Sequence, residues 1–178
     1  MADMSLPETA ASLGRARLFE RAGAEDLAAL AAAAAVRAFA PGEVLARAGE
    51  PAEALLVIVE GRVAVEAAPE GDTLPGVSVA LDPGDSLGEL AVLDGAAHAA
   101  TAIARMPTTA LWLPRAALLA AVRASPELAV ALLATLAGWA RRADRRAAEL
   151  ALRGAGAPPF AFRRLHAAPG EPADVAEG

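Results

Sequence analysis

Residues 54–67 read ALLVIVEGRVAVEA. Val57, Ile58 and Val59 stand before Gly61, and Val63 and Val65 alternate after it. β-Branched side chains suit the pleated, half-buried surface of a sheet. A glycine between two such runs supplies the reversal. The stretch therefore predicts a hairpin-like pair of strands, the strongest strand signal in the chain.

Working outward, the same alphabet recurs. VRAFA (36–40), Pro41-Gly42 and EVLARAGE (43–50) predict strand, turn, strand. Residues 67–76 predict an exposed polar loop. VSVAL (77–81) is a further strand, closed by Asp82-Pro83-Gly84. TAIARM (101–106) and TALWLP (109–114) add two more around Met106-Pro107. Seven or eight short strands with evenly spaced turn signals imply a sandwich or a β-roll.

Helical periodicity flanks this region. LFERAGAEDL (18–27) predicts two short helical pieces hinged at Gly23, and GAEDLAALAAAAA (23–35) carries acids at its start with Leu27, Leu30 and Ala34 at helical spacing. RAALLAAVRA (115–124) is a short helix. Ser125-Pro126-Glu127 is a helix start: a capping hydroxyl, a proline in the first turn and an acid at the positive end. That helix runs over about 126–153 and stops before Gly154. Leu132, Leu136, Trp139 and Ala143 form a coiled-coil-like seam along it, interrupted by Arg146 before Leu150. Residues 1–17 read as a flexible leader and the Gly/Pro/Ala-rich residues 154–178 as a disordered tail.

Bulk properties narrow the function. The 178 residues suit one domain. With 56% apolar but only 3% aromatic residues, Ala, Leu and Val must build the core. The net charge of −6 argues against general nucleic-acid binding. Charge is uneven, however: residues 1–125 carry 9 Arg against 16 acids, and residues 126–164 carry 7 Arg against 3. The basic RRADRR (141–146) reads as a solvated helix end whose arginines complement the helix dipole. Cysteine is absent, which excludes disulfides and thiolate metal sites. The longest uncharged apolar run, Leu128 to Ala140, falls short of the ~18–20 residues of a membrane span. The N-terminus lacks the features of a secretory signal. A cytoplasmic protein with no membrane segment is the expectation. Only His98 and His166 are available to a cupin-like metal site, and no Ser-His-Asp set, P-loop or dinucleotide fingerprint is present. No enzyme, metal or cofactor is expected.

One stretch carries chemistry: GELAVLDGAAHAAT, residues 88–101. A glycine, a carboxylate, an apolar run, an Asp94-Gly95 turn and a series of small residues read as a pocket for a small phosphorylated ligand. Together with DPGDSLGELAVLDG (82–95) and PGEVLARAGEPAEALLVIVEGRVAV (41–65), with Gly42, Gly49 and Gly61 at its turns, it resembles the cyclic nucleotide-binding domain of the bacterial cAMP receptor protein, protein kinase A regulatory subunits and cyclic-nucleotide-gated channels. The resemblance covers about residues 18–150.

That resemblance implies a mainly β fold with flanking helices: a double-stranded β-helix, or jelly-roll-like β-roll, over about 36–113, with N-terminal helices and a long C-terminal helix. It implies a regulatory or sensor role with cAMP or a related cyclic nucleotide as ligand. A short helix starting near Glu89 would point backbone N–H groups at the cyclic phosphate. Glu89 would accept from the ribose 2′-hydroxyl. Gly88, Leu90 and Ala91 would frame the turn, and Ala99 and Ala100 would be the small neighbours that let the backbone approach. His98 stands where the family places an arginine. Histidine is shorter, has an unperturbed pKa near ~6.5 and offers no bidentate fork. Losing a charge-assisted hydrogen bond of ~1.5–3 kcal/mol weakens binding by about one to two orders of magnitude. Some members also place Thr or Ser against the purine edge from the last helix, where Arg145, Arg146 or Ala147 fall here. Occupancy would reposition the 126–153 helix and pass the signal to a protein partner or a second copy. The alternative is a non-binding relative that keeps the fold as a dimerisation or protein-interaction module. The residues after the long helix show no helix-turn-helix pattern, so operator binding by this chain alone is not expected.

Overall fold

The computed structural model describes residues 4–67 and 77–153. The expected loop at 67–76 and tail at 154–178 lie almost wholly outside them. The described residues divide into two compact units between Thr135 and Leu136.

The first unit opens with helix α1 (Leu6–Arg15), a 3-10 turn (Arg17–Phe19) and α2 (Ala24–Ala33). Eight strands follow: β1 (Ala35–Phe39), β2 (Val44–Ala46), β3 (Ala54–Glu60), β4 (Val63–Ala67), β5 (Val77–Leu81), β6 (Ser86–Leu87), β7 (Thr101–Ala104) and β8 (Thr108–Pro114). A short helix α3 (Glu89–Asp94) sits between β6 and β7, and α4 (Arg115–Ala124) and α5 (Pro126–Arg153) follow β8. The strands form two antiparallel sheets, ordered β1-β8-β3-β6 and β2-β7-β4-β5. This is the expected β-roll with flanking helices.

Strand β3 shows why the roll has two cores. Its residues Ala54 to Ile58 are all buried, so both of its faces are covered. Leu56 and Ile58 pack inside the roll with Phe39, Leu45, Val63, Leu87 and Ala110. Leu55 and Val57 alternate to the opposite face, as do Leu111 and Leu113 of β8, and all four are fully buried. Helices α2 and α4 contact β8 and bring buried Leu30 and Leu118. The continuous apolar run that marks 54–59 is the sequence trace of this two-sided burial.

At Gly61 the chain leaves β3 with φ +97°, and a β-carbon there would lie 2.5 Å from Thr108 Oγ1 and 2.6 Å from the Pro107 carbonyl oxygen. The turn is thus pressed against the β7–β8 connection. A bulge between Ile58 and Glu60 supplies the bend just before it.

The N-terminus departs from expectation. Residues 6–15, read as part of a flexible leader, form α1. Ser5 opens it: the Glu8 carboxylate accepts from the Ser5 backbone N–H at 2.8 Å and from its hydroxyl at 2.6 Å, and these bonds hold the Glu8 carboxyl below its usual pKa. Thr9, Ser12 and Leu13 are buried, and α1 packs against α2. The apolar stripe of α1 is short, so its packing rather than its pattern makes the helix. Leu13→Ala is expected to lower stability by at least about 2 kcal/mol, read by urea unfolding; a free leader would give no change.

The start of α5 is as its sequence reads: the Ser125 hydroxyl accepts from the Leu128 N–H at 3.1 Å. Within the first unit α5 turns Leu128, Leu132 and Thr135 inward and leaves Val130 and Leu133 each 65% exposed. Leu132 is therefore a core residue of the unit rather than the first residue of a free seam. In the second unit Leu136 and Trp139 are half-buried, and Ala143 and the arginines of 141–146 are exposed. Among the described residues no single helix is long and apolar enough to cross a membrane.

Candidate functional site

Strand β6 hands over to α3 through Gly88, whose φ is +85°. A β-carbon on Gly88 would sit 3.0 Å from His98 Cε1 and 3.4 Å from the Ala54 carbonyl oxygen. The positive φ favours glycine, and a β-carbon would also press on the His98 ring. The residue that follows, Glu89, begins α3.

His98 reaches this position because its own segment is tied to a remote loop. Its backbone N–H donates to the Glu50 carbonyl at 2.9 Å, and its carbonyl accepts from the Gly49 N–H at 2.8 Å. A bridge between Pro51 and Ala97 extends the pairing. Upstream, the Asp94 carboxylate accepts from the Ala96 N–H at 2.8 Å and fixes the turn out of α3.

Between these pieces lies a cavity of about 420 Å³. All seven residues singled out in the sequence, Gly88, Glu89, Leu90, Ala91, His98, Ala99 and Ala100, line it. Val65, Val79 and Leu81 form a wall that the sequence reading did not assign to the site. Register explains it: Val63 pairs with Leu81 and Val65 with Val79, so one face of the β4–β5 ladder is continuous valine and leucine. Leu90 and Val79, 62% and 51% exposed, stand on the rim.

The electrostatics are lopsided. Glu89 is pushed above the usual carboxylate range, first by burial; its own backbone N–H and the Ser86 hydroxyl, 3.5 Å away, oppose the shift, and nearby Asp85 adds to it. Asp94 is a second carboxylate on the wall, and His98 the one potentially cationic side chain among the residues that line it. Among the described residues no arginine borders the cavity.

The raised pKa of Glu89 fixes a sign. A carboxyl that binds its proton more tightly when folded favours the folded state in acid, and that advantage fades as pH rises through the raised folded value. At neutral pH the half-buried charge therefore opposes folding. Glu89→Gln is expected to raise the melting temperature at pH 7 and to leave it little changed at about pH 4, near the unfolded carboxylate value. An unchanged or lowered melting temperature at pH 7 would contradict this reading of the site.

Comparison with known proteins identifies the β-roll. The cyclic nucleotide-binding domain model matches residues 36–125. A Rhodopseudomonas palustris protein that carries a potassium-channel name is 36% identical over 117 residues, which is 66% of this chain but only 28% of that protein. The catabolite activator protein of Thermus thermophilus superposes with a TM-score of 0.65 at 30% identity, covering 78% of this chain and 63% of its own. A regulatory subunit of a cAMP-independent protein kinase A from Trypanosoma brucei, a triple mutant bound to cAMP, superposes with a TM-score of 0.56 at 26% identity, covering 62% of this chain and 40% of its own. The match spans the β-roll, α3 and α4, and on it the chain belongs to the cyclic nucleotide-binding domain family.

Proposed function

We propose that the chain is a sensor domain that binds cAMP or a related cyclic nucleotide in the cavity beside α3. The observation that carries this reading is the convergence of all seven cassette residues on one cavity of about 420 Å³. In this assignment Glu89 accepts from the ribose 2′-hydroxyl. The cyclic phosphate lies at the Gly88 turn, against the backbone N–H groups of the first turn of α3 and the imidazole of His98. Leu90, Ala91, Ala99 and Ala100 shape the wall, and Val65, Val79 and Leu81 offer the apolar surface for the sugar and base. A half-buried carboxylate that opposes folding suits a ligand-facing role, since functional groups are often held at a cost to stability. Occupancy is relayed to α5, and from there to a protein partner or a second copy.

Fold alone does not assign a ligand, and one observation favours a second reading. With two carboxylates and no arginine on the wall, the cavity suits an anion less well than the family pattern implies. A relative that keeps the roll only as an interaction module would look the same.

Paired titrations separate the two readings. The unmodified chain is expected to bind cAMP at least tenfold more tightly than 2′-deoxy-cAMP, the value of about one hydrogen bond to a charged group. In Glu89→Ala the discrimination should fall to within about twofold. Equal affinity for both ligands in the unmodified chain would remove Glu89 from the ribose, and absence of binding to either would leave the interaction module.

A further inference from the structure

The turn that leads into α3 is gripped from two sides. Asp82 to Asp85 join β5 to β6, and β6 runs directly into Gly88 and Glu89. On the sheet side, the Gly84 N–H donates to the Ile58 carbonyl at 2.9 Å and the Ile58 N–H donates to the Asp85 carbonyl at 3.0 Å. On the other side stands the 3-10 turn near the N-terminus. The Arg17 N–H donates to the Gly84 carbonyl at 3.1 Å, and the Arg17 guanidinium pairs with one Asp85 carboxylate oxygen at 3.2 Å. The approach is close: a β-carbon on Gly84, whose φ is +91°, would stand 3.4 Å from the Arg15 carbonyl oxygen. The second Asp85 oxygen accepts from the Asp82 N–H at 2.9 Å, and the Asp85 side chain is only 17% exposed. Its charge is therefore fixed in place, and it is the charge that adds to the burial of Glu89 in opposing ionisation there. The other titratable side chains around Glu89 are Asp94 and His98, across the cavity. Among the described residues Arg17 is the one cation paired with Asp85, since Arg62 pairs with Asp82.

We propose that Arg17 is a positioning residue for Glu89: it clamps the Asp82–Asp85 turn and offsets the Asp85 charge, which keeps the Glu89 carboxylate ready to accept a hydrogen bond. The proposal deepens the assignment of Glu89 to the ribose hydroxyl and rests on that reading. An ionised carboxyl only accepts hydrogen bonds, whereas a protonated one turns one oxygen into a donor, and bonds to the charged form are the stronger. An anion beside Glu89 works against the accepting form, and a cation on that anion works for it. The consequence falls on the site more than on the fold. The Arg17 side chain is 75% exposed, and an ion pair with an exposed partner adds little to stability.

The test titrates the Glu89 carboxyl of the full, nucleotide-free chain by carbon NMR, its signal assigned by its loss in Glu89→Gln. Arg17→Gln is expected to raise the midpoint of the Glu89 titration and Asp85→Asn to lower it. In the Asp85→Asn background, Arg17→Gln should move the midpoint by less than about half of its effect in the unmodified chain, the coupling expected of groups that act through one another. Arg17→Lys, which keeps the charge, should leave the midpoint near its original value. Urea unfolding of Arg17→Gln should change little, which separates this role from general support of the fold. A midpoint unmoved by Arg17→Gln, or moved equally with and without the Asp85 carboxylate, would overturn the proposal. The titration contains no nucleotide, so a failure of cAMP to bind, measured separately, would remove the ribose assignment without deciding this result.

Discussion

His98→Arg is expected to tighten cAMP binding by about ten- to a hundredfold at pH 7. The change restores a charge-assisted, bidentate donor beside the Gly88 turn, worth ~1.5–3 kcal/mol over a neutral contact, and each ~1.4 kcal/mol is tenfold in affinity. Space favours it, because the His98 side chain borders cavities of about 420 and 290 Å³ and a longer side chain need not displace packed atoms. The backbone bonds from Gly49 and to Glu50 that hold this segment do not involve the side chain. An affinity unchanged within twofold would show that the cyclic phosphate is not held at this position.

Gly61→Ala is expected to lower folding stability by about 3–5 kcal/mol. Two terms combine. A left-handed backbone costs an L-residue roughly 1–2 kcal/mol, and forcing extra volume into packed surroundings costs about 1–3 kcal/mol more. The second term sits at its upper end because two of the close atoms, the Pro107 carbonyl oxygen at 2.6 Å and Thr108 Cα at 2.7 Å, are backbone and not flexible side chain. Against a typical total of ~5–15 kcal/mol, such a loss removes a large share of the stability. Gly42→Ala is the control: φ is +84°, but nothing lies within 4 Å of the added carbon, so only the conformational term of about 1–2 kcal/mol applies. Equal losses for the two variants in urea unfolding would mean that the Gly61 turn is not pressed against β8.

How far the sequence can be read follows from which interactions are local. The β3–β4 pair is legible because a β-branched run and one glycine specify it within fourteen residues. The α3 cassette is legible for the same reason: Gly88, Glu89, Asp94 and Gly95 set its turn, helix and exit without help from elsewhere. Helix α1 is not legible by its apolar pattern, since Leu6 and Leu13 stand alone among alanines and polar residues; Leu13 becomes buried only against α2. The Ser5–Glu8 pair was the available signal, a capping box followed by Pro7 at the helix start. The valine wall of the cavity and the two-sided position of His98 depend on pairings between distant segments, β4 with β5 and residues 97–98 with residues 49–51. Neither register leaves a mark on one strand alone. The missing arginine is the reverse case: the sequence names His98 at once, while what surrounds it is visible only in three dimensions.

Calorimetric titration of cAMP into the purified, folded chain at pH 6 and at pH 8 tests the central claim most directly. The account predicts saturable binding at one site per chain in the micromolar range. No heat of binding at millimolar cAMP at either pH, from a sample that unfolds cooperatively on heating, would contradict it.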